Sequence, residues 1–167
     1  MPFSLSARNV AATLMLAAAL LGAGCAKNQS GVQAGLAGGA GGVATPGSAQ
    51  DFQVNVGDRV FFETDQTSLN AQAMAIIDRQ VQWLSQYPRY TFTVEGHADE
   101  RGTREYNLAL GARRSTAVRD YMIARGIAPN RMRTVSYGKE RPVAVCDDIS
   151  CWSQNRRAVT VLSGAGA

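Results

Sequence analysis

Residues 90–126, YTFTVEGHADERGTREYNLALGARRSTAVRDYMIARG, change hydrophobic period once along their length, and that change decides the fold. Tyr90, Phe92 and Val94 alternate with polar neighbours, which predicts a half-buried strand over 90–96 with those three residues inward. From about Arg104 to Arg125 the period becomes helical. At about 100° per residue Leu110, Ala117, Val118 and Tyr121 share one apolar arc, and Gly126 marks the stop. Upstream, Met74, Ile77, Val81 and Leu84 give a helix over Leu69–Gln86, which Pro88 forbids from continuing. Val54–Phe62 is rich in Val and Phe and reads as a strand, with Gly57-Asp58 a point where it breaks into a hairpin or bulge. Downstream come a strand over Arg133–Tyr137, a loop containing Pro142, a helical turn at Ser150–Asn155 and a last strand over Ala158–Leu162. Strands alternating with helices of this length predict a two-layer α/β sandwich with helices over one sheet.

The chain has 167 residues, enough for one domain of ordinary size plus some unstructured length. It carries 17 Lys and Arg against 13 Asp and Glu. Arg8 and Lys27 fall in the first fifty residues, where there is no acid, so the balance from Asp51 onward is 15 against 13. So small an excess, with no aromatic platform, argues against a nucleic-acid partner. One His and three Cys supply ligands for no more than one modest metal site.

Residues 1–24 read as an export signal. Arg8 precedes an apolar run from Val10 to Leu21, too short for a bilayer that needs about 20 residues. The run ends in Leu21-Gly22-Ala23-Gly24-Cys25, which resembles the lipobox of bacterial lipoproteins, with Leu21 one step earlier than that pattern prefers. The lipobox makes Cys25 the lipid attachment point; the alternative is an ordinary secretory signal followed by an incidental Cys. Residues 25–50 then form a Gly/Ala-rich tether, unable to bury enough apolar surface to offset its ordering entropy. The folded domain spans 51–167. Export to an oxidising compartment makes Cys146 and Cys151 a candidate disulfide, and two sulfurs with no second Cys pair or nearby His cannot complete a tetrahedral metal shell.

Arg114 is the anomaly of the long helix, because it falls inside the apolar arc. Asn107, two turns earlier, projects near it. A guanidinium that cannot reach water must be paired, and the nearest carboxylates lie in His97-Ala98-Asp99-Glu100 just before the helix. One reading is an internal Asp99–Arg114 salt bridge, or an Arg that snorkels past the helix edge. The other is a pocket with one anion and one cation, suited to a small zwitterion carrying ammonium and carboxylate together, since the planar Arg fork binds a carboxylate through two hydrogen bonds.

A set of motifs, in order from about Val60 to Val161, resembles the peptidoglycan-associated lipoproteins of the OmpA-like superfamily. It comprises Val94-Glu95-Gly96-His97-Ala98-Asp99-Glu100-Arg101-Gly102-Thr103, Tyr106-Asn107, Leu110-Gly111, Arg113-Arg114, Val135-Ser136-Tyr137-Gly138-Lys139-Glu140 with Pro142, and Asn155-Arg156-Arg157-Ala158-Val159. The resemblance implies an OmpA-like α/β (α+β) sandwich, with a mixed sheet of about four strands and helices mainly on one face. It implies non-covalent binding of the meso-diaminopimelate residue of the peptidoglycan stem peptide, Asp99 taking the ammonium and Arg114 the carboxylate, with further contacts at Asp65, Asn107 and Leu110. It also implies an outer-membrane lipid anchor with the domain facing the periplasm, and service in the Tol-Pal system beside the Tol β-propeller protein and the TolA protein. Thr64 stands where that family often has a large apolar residue, which implies a weaker apolar wall.

A wall-active periplasmic enzyme is the competing class, since Glu95, His97, Asp99 and Glu100 could suggest a metal site or a general base. Yet no Ser or Cys stands in an activating motif, and the resemblance is to binders. The expectation is a binding protein without catalytic residues, cofactor or metal.

Overall fold

The computed structural model describes residues 44–164. The export signal, Cys25 and the tether as far as residue 43 lie outside the described residues. The described part opens with α1 (Ala49–Asp51), which runs into six residues of π-helix, Phe52–Gly57. Then follow β1 (Arg59–Phe61), α2 (Ala71–Gln86), β2 (Thr91–His97), α3 (Arg104–Ala124), a 3₁₀ turn at Pro129–Arg131, β3 (Met132–Gly138), α4 (Ile149–Asn155) and β4 (Arg157–Ser163).

The four strands form one mixed sheet in the order β1-β4-β2-β3. β2 and β3 are parallel, joined through α3, whereas β4 is antiparallel to both of its neighbours. The α/β sandwich with a mixed sheet of four strands predicted from the sequence is therefore the observed fold. Tyr90, Phe92 and Val94 are all buried as the alternation requires, and they meet Ile77, Leu84, Val118 and Met122 in one apolar cluster. Asn70 caps α2 by accepting the Ala73 N–H at 2.8 Å, and Thr103 caps α3 by accepting that of Tyr106 at 3.2 Å. Gly126, at φ +98°, supplies the left-handed residue just past the end of α3.

The strand expected over Val54–Phe62 is only three residues long. Its first half winds instead into the π-helix, which buries Phe52 completely against Trp83, ring centroids 5.0 Å apart, and leaves Val54 facing solvent. A short edge strand gains little from pairing, and burying one Phe outweighs it. Residues 44–50, assigned to the tether on composition, also pack on the domain: Ala44 is buried, and the Gly47 carbonyl accepts the Tyr90 hydroxyl at 2.7 Å. Packed chain thus extends at least seven residues ahead of the boundary that composition suggested.

α3 lies on β2 with unusual closeness. A Cβ on Gly96 would run into the Gly111 carbonyl, and one on Gly111 would meet the Ser136 hydroxyl and the Gly96 carbonyl. Only two glycines facing each other allow that approach. Gly111→Ala should therefore push α3 off the sheet and cost about 3 kcal/mol in a denaturant titration. An unchanged midpoint would mean that the helix does not need the contact.

Candidate functional site

The close helix–sheet contact fixes where the polar face of α3 points. Asn107, Gly111 and Arg114 are spaced i, i+4 and i+7, so they share one helix face. Asn107 donates its amide to the carbonyls of Arg101 at 2.6 Å and Thr103 at 3.1 Å, which pins the loop between β2 and α3. Arg114 is completely buried. Its Nε donates to the Gln66 carbonyl at 3.0 Å, Nη1 to that of His97 at 2.8 Å and Nη2 to that of Glu63 at 3.1 Å. The guanidinium therefore ties the turn after β1 to the end of β2, with the Phe62 ring 5.1 Å from its Cζ. Burial, then the nearby Arg156, lower its pKa to about 10, and Asp99, Asp65 and Tyr106 act against them. It stays charged at neutral pH.

The salt bridge between Asp99 and Arg114, one of the two readings of the sequence, does not form. Asp99 pairs with Arg101 at 2.7 Å and with Arg156 at 3.4 Å. Burial raises the Asp99 pKa, but the hydrogen bonds and charge of Arg101, with help from Arg156, outweigh it and hold the carboxyl below its ordinary value. Snorkelling is likewise not observed, since the Arg114 head ends on carbonyl oxygens rather than in water.

Asp65, Asp99, Thr64, Arg101, Gly102 and Tyr106 surround a cavity of about 210 Å³. Asp65 sits at φ +57°, the one residue other than glycine with positive φ among those described, and its Oδ1 accepts the Tyr106 hydroxyl at 3.4 Å. Such a backbone stores on the order of 1 kcal/mol and is tolerated best by Asp and Asn. Leu110 is buried at the same end of α3, yet stands outside the main apolar cluster. Of the five pocket residues expected from the sequence, two carboxylates thus line one small cavity. Arg114 and Asn107 hold the loops that wall it, and Leu110 lies on the same helix face as Asn107 and Arg114. A cleft of about 370 Å³ between Phe61, Gln72 and Gln154 is larger. The smaller cavity has the more distinctive chemistry, because it exposes an edge of a nearly buried carboxylate.

Sequence reasoning missed two arginines. Arg156 is buried at the start of β4, donating Nε to the Phe62 carbonyl at 3.0 Å as well as meeting Asp99. Arg101 is the main partner of Asp99. The signal for Arg156 was present: Arg156-Arg157 stand side by side at a strand entrance, so one of them must face the covered side of the sheet. Near the Pro142 loop, Cys146 and Cys151 form a disulfide with Cα atoms 5.7 Å apart, and Asn155 accepts the Val143 N–H at 2.8 Å. Among the described residues no group of three His, Cys, Asp or Glu could hold a metal ion.

His97 is buried with both ring nitrogens lacking a hydrogen-bond partner. Glu95 Oε2 lies 3.6 Å from its Nε2, near enough to favour an imidazolium but beyond hydrogen-bond reach. Burial, then the charges of Arg157 and Arg141, prevail and lower the His97 pKa from 6.5 to about 4. A folded-state pKa below the unfolded one gives stability that is complete above about pH 6.5 and is lost as pH falls towards about 4. The loss should total on the order of 3 kcal/mol across that window. Urea titrations at several pH values should show it, with a flatter profile for His97→Gln; equal profiles would remove His97 as the cause.

The OmpA family pattern matches residues 61–156. A peptidoglycan-associated lipoprotein of Rhizobium meliloti is 67% identical over 162 residues, covering 96% of this chain and 92% of its own. A protein of the same description from Agrobacterium fabrum is 63% identical over 166 residues, covering 99% and 94%. Among solved structures, the peptidoglycan-associated lipoprotein from Burkholderia pseudomallei superimposes with a TM-score of 0.62 at 42% identity, over 64% of this chain and 90% of that one.

Proposed function

The chain belongs to the OmpA family and to the peptidoglycan-associated lipoproteins within it, and on that premise we propose that it binds the meso-diaminopimelate stem peptide of peptidoglycan non-covalently. The observation that carries the reading is a nearly buried anion at the cavity and a fully buried cation behind its wall that do not neutralise each other: Asp99 pairs with other arginines, and Arg114 is spent on carbonyls. In this reading Asp99 receives the ammonium of diaminopimelate. Arg114 receives its carboxylate with the one N–H that each terminal nitrogen still has free, since a guanidinium has five donors and three are used. Arg114 is fully buried, so the Glu63–Gln66 turn opens to admit that carboxylate. The strained Asp65 lies within this turn. Asp65, Asn107 and Leu110 make the further contacts that the family resemblance implies.

A lipid on Cys25 would hold the protein to the outer membrane, and the Gly-rich chain after it gives the domain reach to the wall. Eighteen residues, 26–43, lie between that anchor and the chain packed on the domain, and a Gly-rich stretch of that length would span ~23 Å on average and at most ~60 Å. The protein then links outer membrane and cell wall from the periplasmic side. Service in the Tol-Pal system during envelope constriction, with the Tol β-propeller protein and the TolA protein as partners, rests on the family alone. The chain belongs to a family of lipoproteins and not of enzymes, and a buried, neutral His97 suits that class.

Arg114→Ala would remove all three hydrogen bonds that join the Glu63–Gln66 turn to the end of β2 and disturb the site along with the function, so it is a poor test. Asp99→Asn keeps the shape and removes the charge. It should weaken sedimentation with diaminopimelate-type peptidoglycan at least tenfold, since a charge-assisted contact contributes about 1.5–3 kcal/mol. Wild-type protein should discriminate similarly against walls with Lys in place of diaminopimelate, because Lys lacks the second carboxylate. Equal binding to both walls would refute the assignment. Separately, Cys25→Ser should move the protein from the membrane to the soluble periplasmic fraction, where a lipid anchor is required for retention. Undiminished membrane association in cells lacking the Tol proteins would refute the anchor.

A further inference from the structure

Asp99 already has an occupant. Its Oδ1 accepts the backbone N–H of Arg101 and the Arg101 Nε–H, both at 3.2 Å, while Oδ2 accepts Arg101 Nη2 at 2.7 Å and Arg156 Nη1 at 3.4 Å. A carboxylate offers about four acceptor positions, so none is left for an arriving ammonium. One of its cations has to leave. The two are unequal: the Arg156 side chain is 5% exposed and also holds the Phe62 carbonyl, whereas that of Arg101 is 41% exposed. Arg101 can swing into water and Arg156 cannot.

What keeps Arg101 in place comes from the far side of the chain. Its Cζ lies 4.2 Å from the centroid of the Trp152 ring, a cation–π contact. The indole N–H of Trp152 in turn donates to the carboxylate of Glu100, the residue between Asp99 and Arg101. Trp152 follows Cys151, which is buried and bridged to Cys146, so the bridge closes the loop that presents the indole.

We propose that Arg101 is a specificity-setting latch, an internal cation that fills the ammonium position of Asp99 until a ligand cation replaces it, with Trp152 as its backing plate. The inference rests on the reading that Asp99 receives the diaminopimelate ammonium. Exchange of guanidinium for ammonium leaves the charge at Asp99 balanced throughout, so a bare carboxylate is never left in the pocket. The cost of the latch is affinity: the ligand binds only the open fraction, and its apparent dissociation constant rises in proportion. A ligand without a free ammonium has nothing with which to displace Arg101, and the site remains closed to it.

The test is a calorimetric titration of the full-length protein with a soluble disaccharide-tripeptide carrying meso-diaminopimelate. Arg101→Ala should bind about five- to tenfold more tightly than wild type, and Trp152→Ala should shift affinity in the same direction by less. The double Cys146→Ser, Cys151→Ser change should also tighten binding in wild type but add nothing once Arg101 is absent, because it acts only through the latch. In wild-type protein the Arg101 Nε–H resonance should move on titration with the peptide, a readout that needs no variant to fold. Weaker or unchanged binding by Arg101→Ala, or an Arg101 signal that ignores the ligand, would overturn the latch alone if wild type binds. Failure of wild type to bind the peptide at all would overturn both the latch and the reading beneath it.

Discussion

The contact between Gly96 of β2 and Gly111 of α3 governs the rest of the domain's chemistry. With no Cβ on either side, helix backbone settles directly on strand backbone, and the side chains flanking Gly111 on that face have no layer of their own to occupy. They project instead past the end of the sheet. Asn107 and Arg114 thereby reach the turn after β1, the end of β2 and the loop before α3, and they donate to five carbonyls there. A buried peptide carbonyl must be paired somewhere, and that of His97 is paired by a helix side chain. The same bonds keep a fully buried guanidinium charged, because the ends of three carbonyl dipoles replace the water it has lost.

Much of the fold was legible because it rests on period and punctuation. The alternation at Tyr90, Phe92 and Val94, the arc from Leu110 to Tyr121 and the stop at Gly126 are all local signals, and each element they mark is where they place it. Val54–Gly57 misled for a local reason as well: β-branched residues in alternation look like a strand whether or not a partner strand exists. The decisive fact, a pocket beside Trp83 that takes Phe52, is non-local. Composition likewise could not reveal that Gly47 accepts the Tyr90 hydroxyl from across the domain.

At the candidate site the sequence marked unusual residues and not their pairings. Arg114 stood out because a charge sits in an apolar arc, and it is buried as that anomaly demands. The natural inference from charge alone was a carboxylate partner. Backbone carbonyls carry no sequence signal, so the partners it takes were invisible. Asp99 shows the converse case: its strongest partner, Arg101, lies two residues away, in a loop whose turn geometry alone brings the guanidinium back onto the carboxylate. Arg156 joins them from the far end of the chain. Three arginines thus gather around two carboxylates, and under the proposed function the pocket balances this internal pairing against capture of an external zwitterion.

The most direct measurement of that balance is a crystal structure of the full-length protein with a diaminopimelate-containing stem peptide bound. The account predicts the side-chain ammonium within hydrogen-bond distance of Asp99, the adjacent carboxylate on Arg114, and the Arg101 guanidinium withdrawn from Asp99. A peptide seated away from the cavity between Asp65 and Asp99, with the Asp99–Arg101 pair intact, would contradict it.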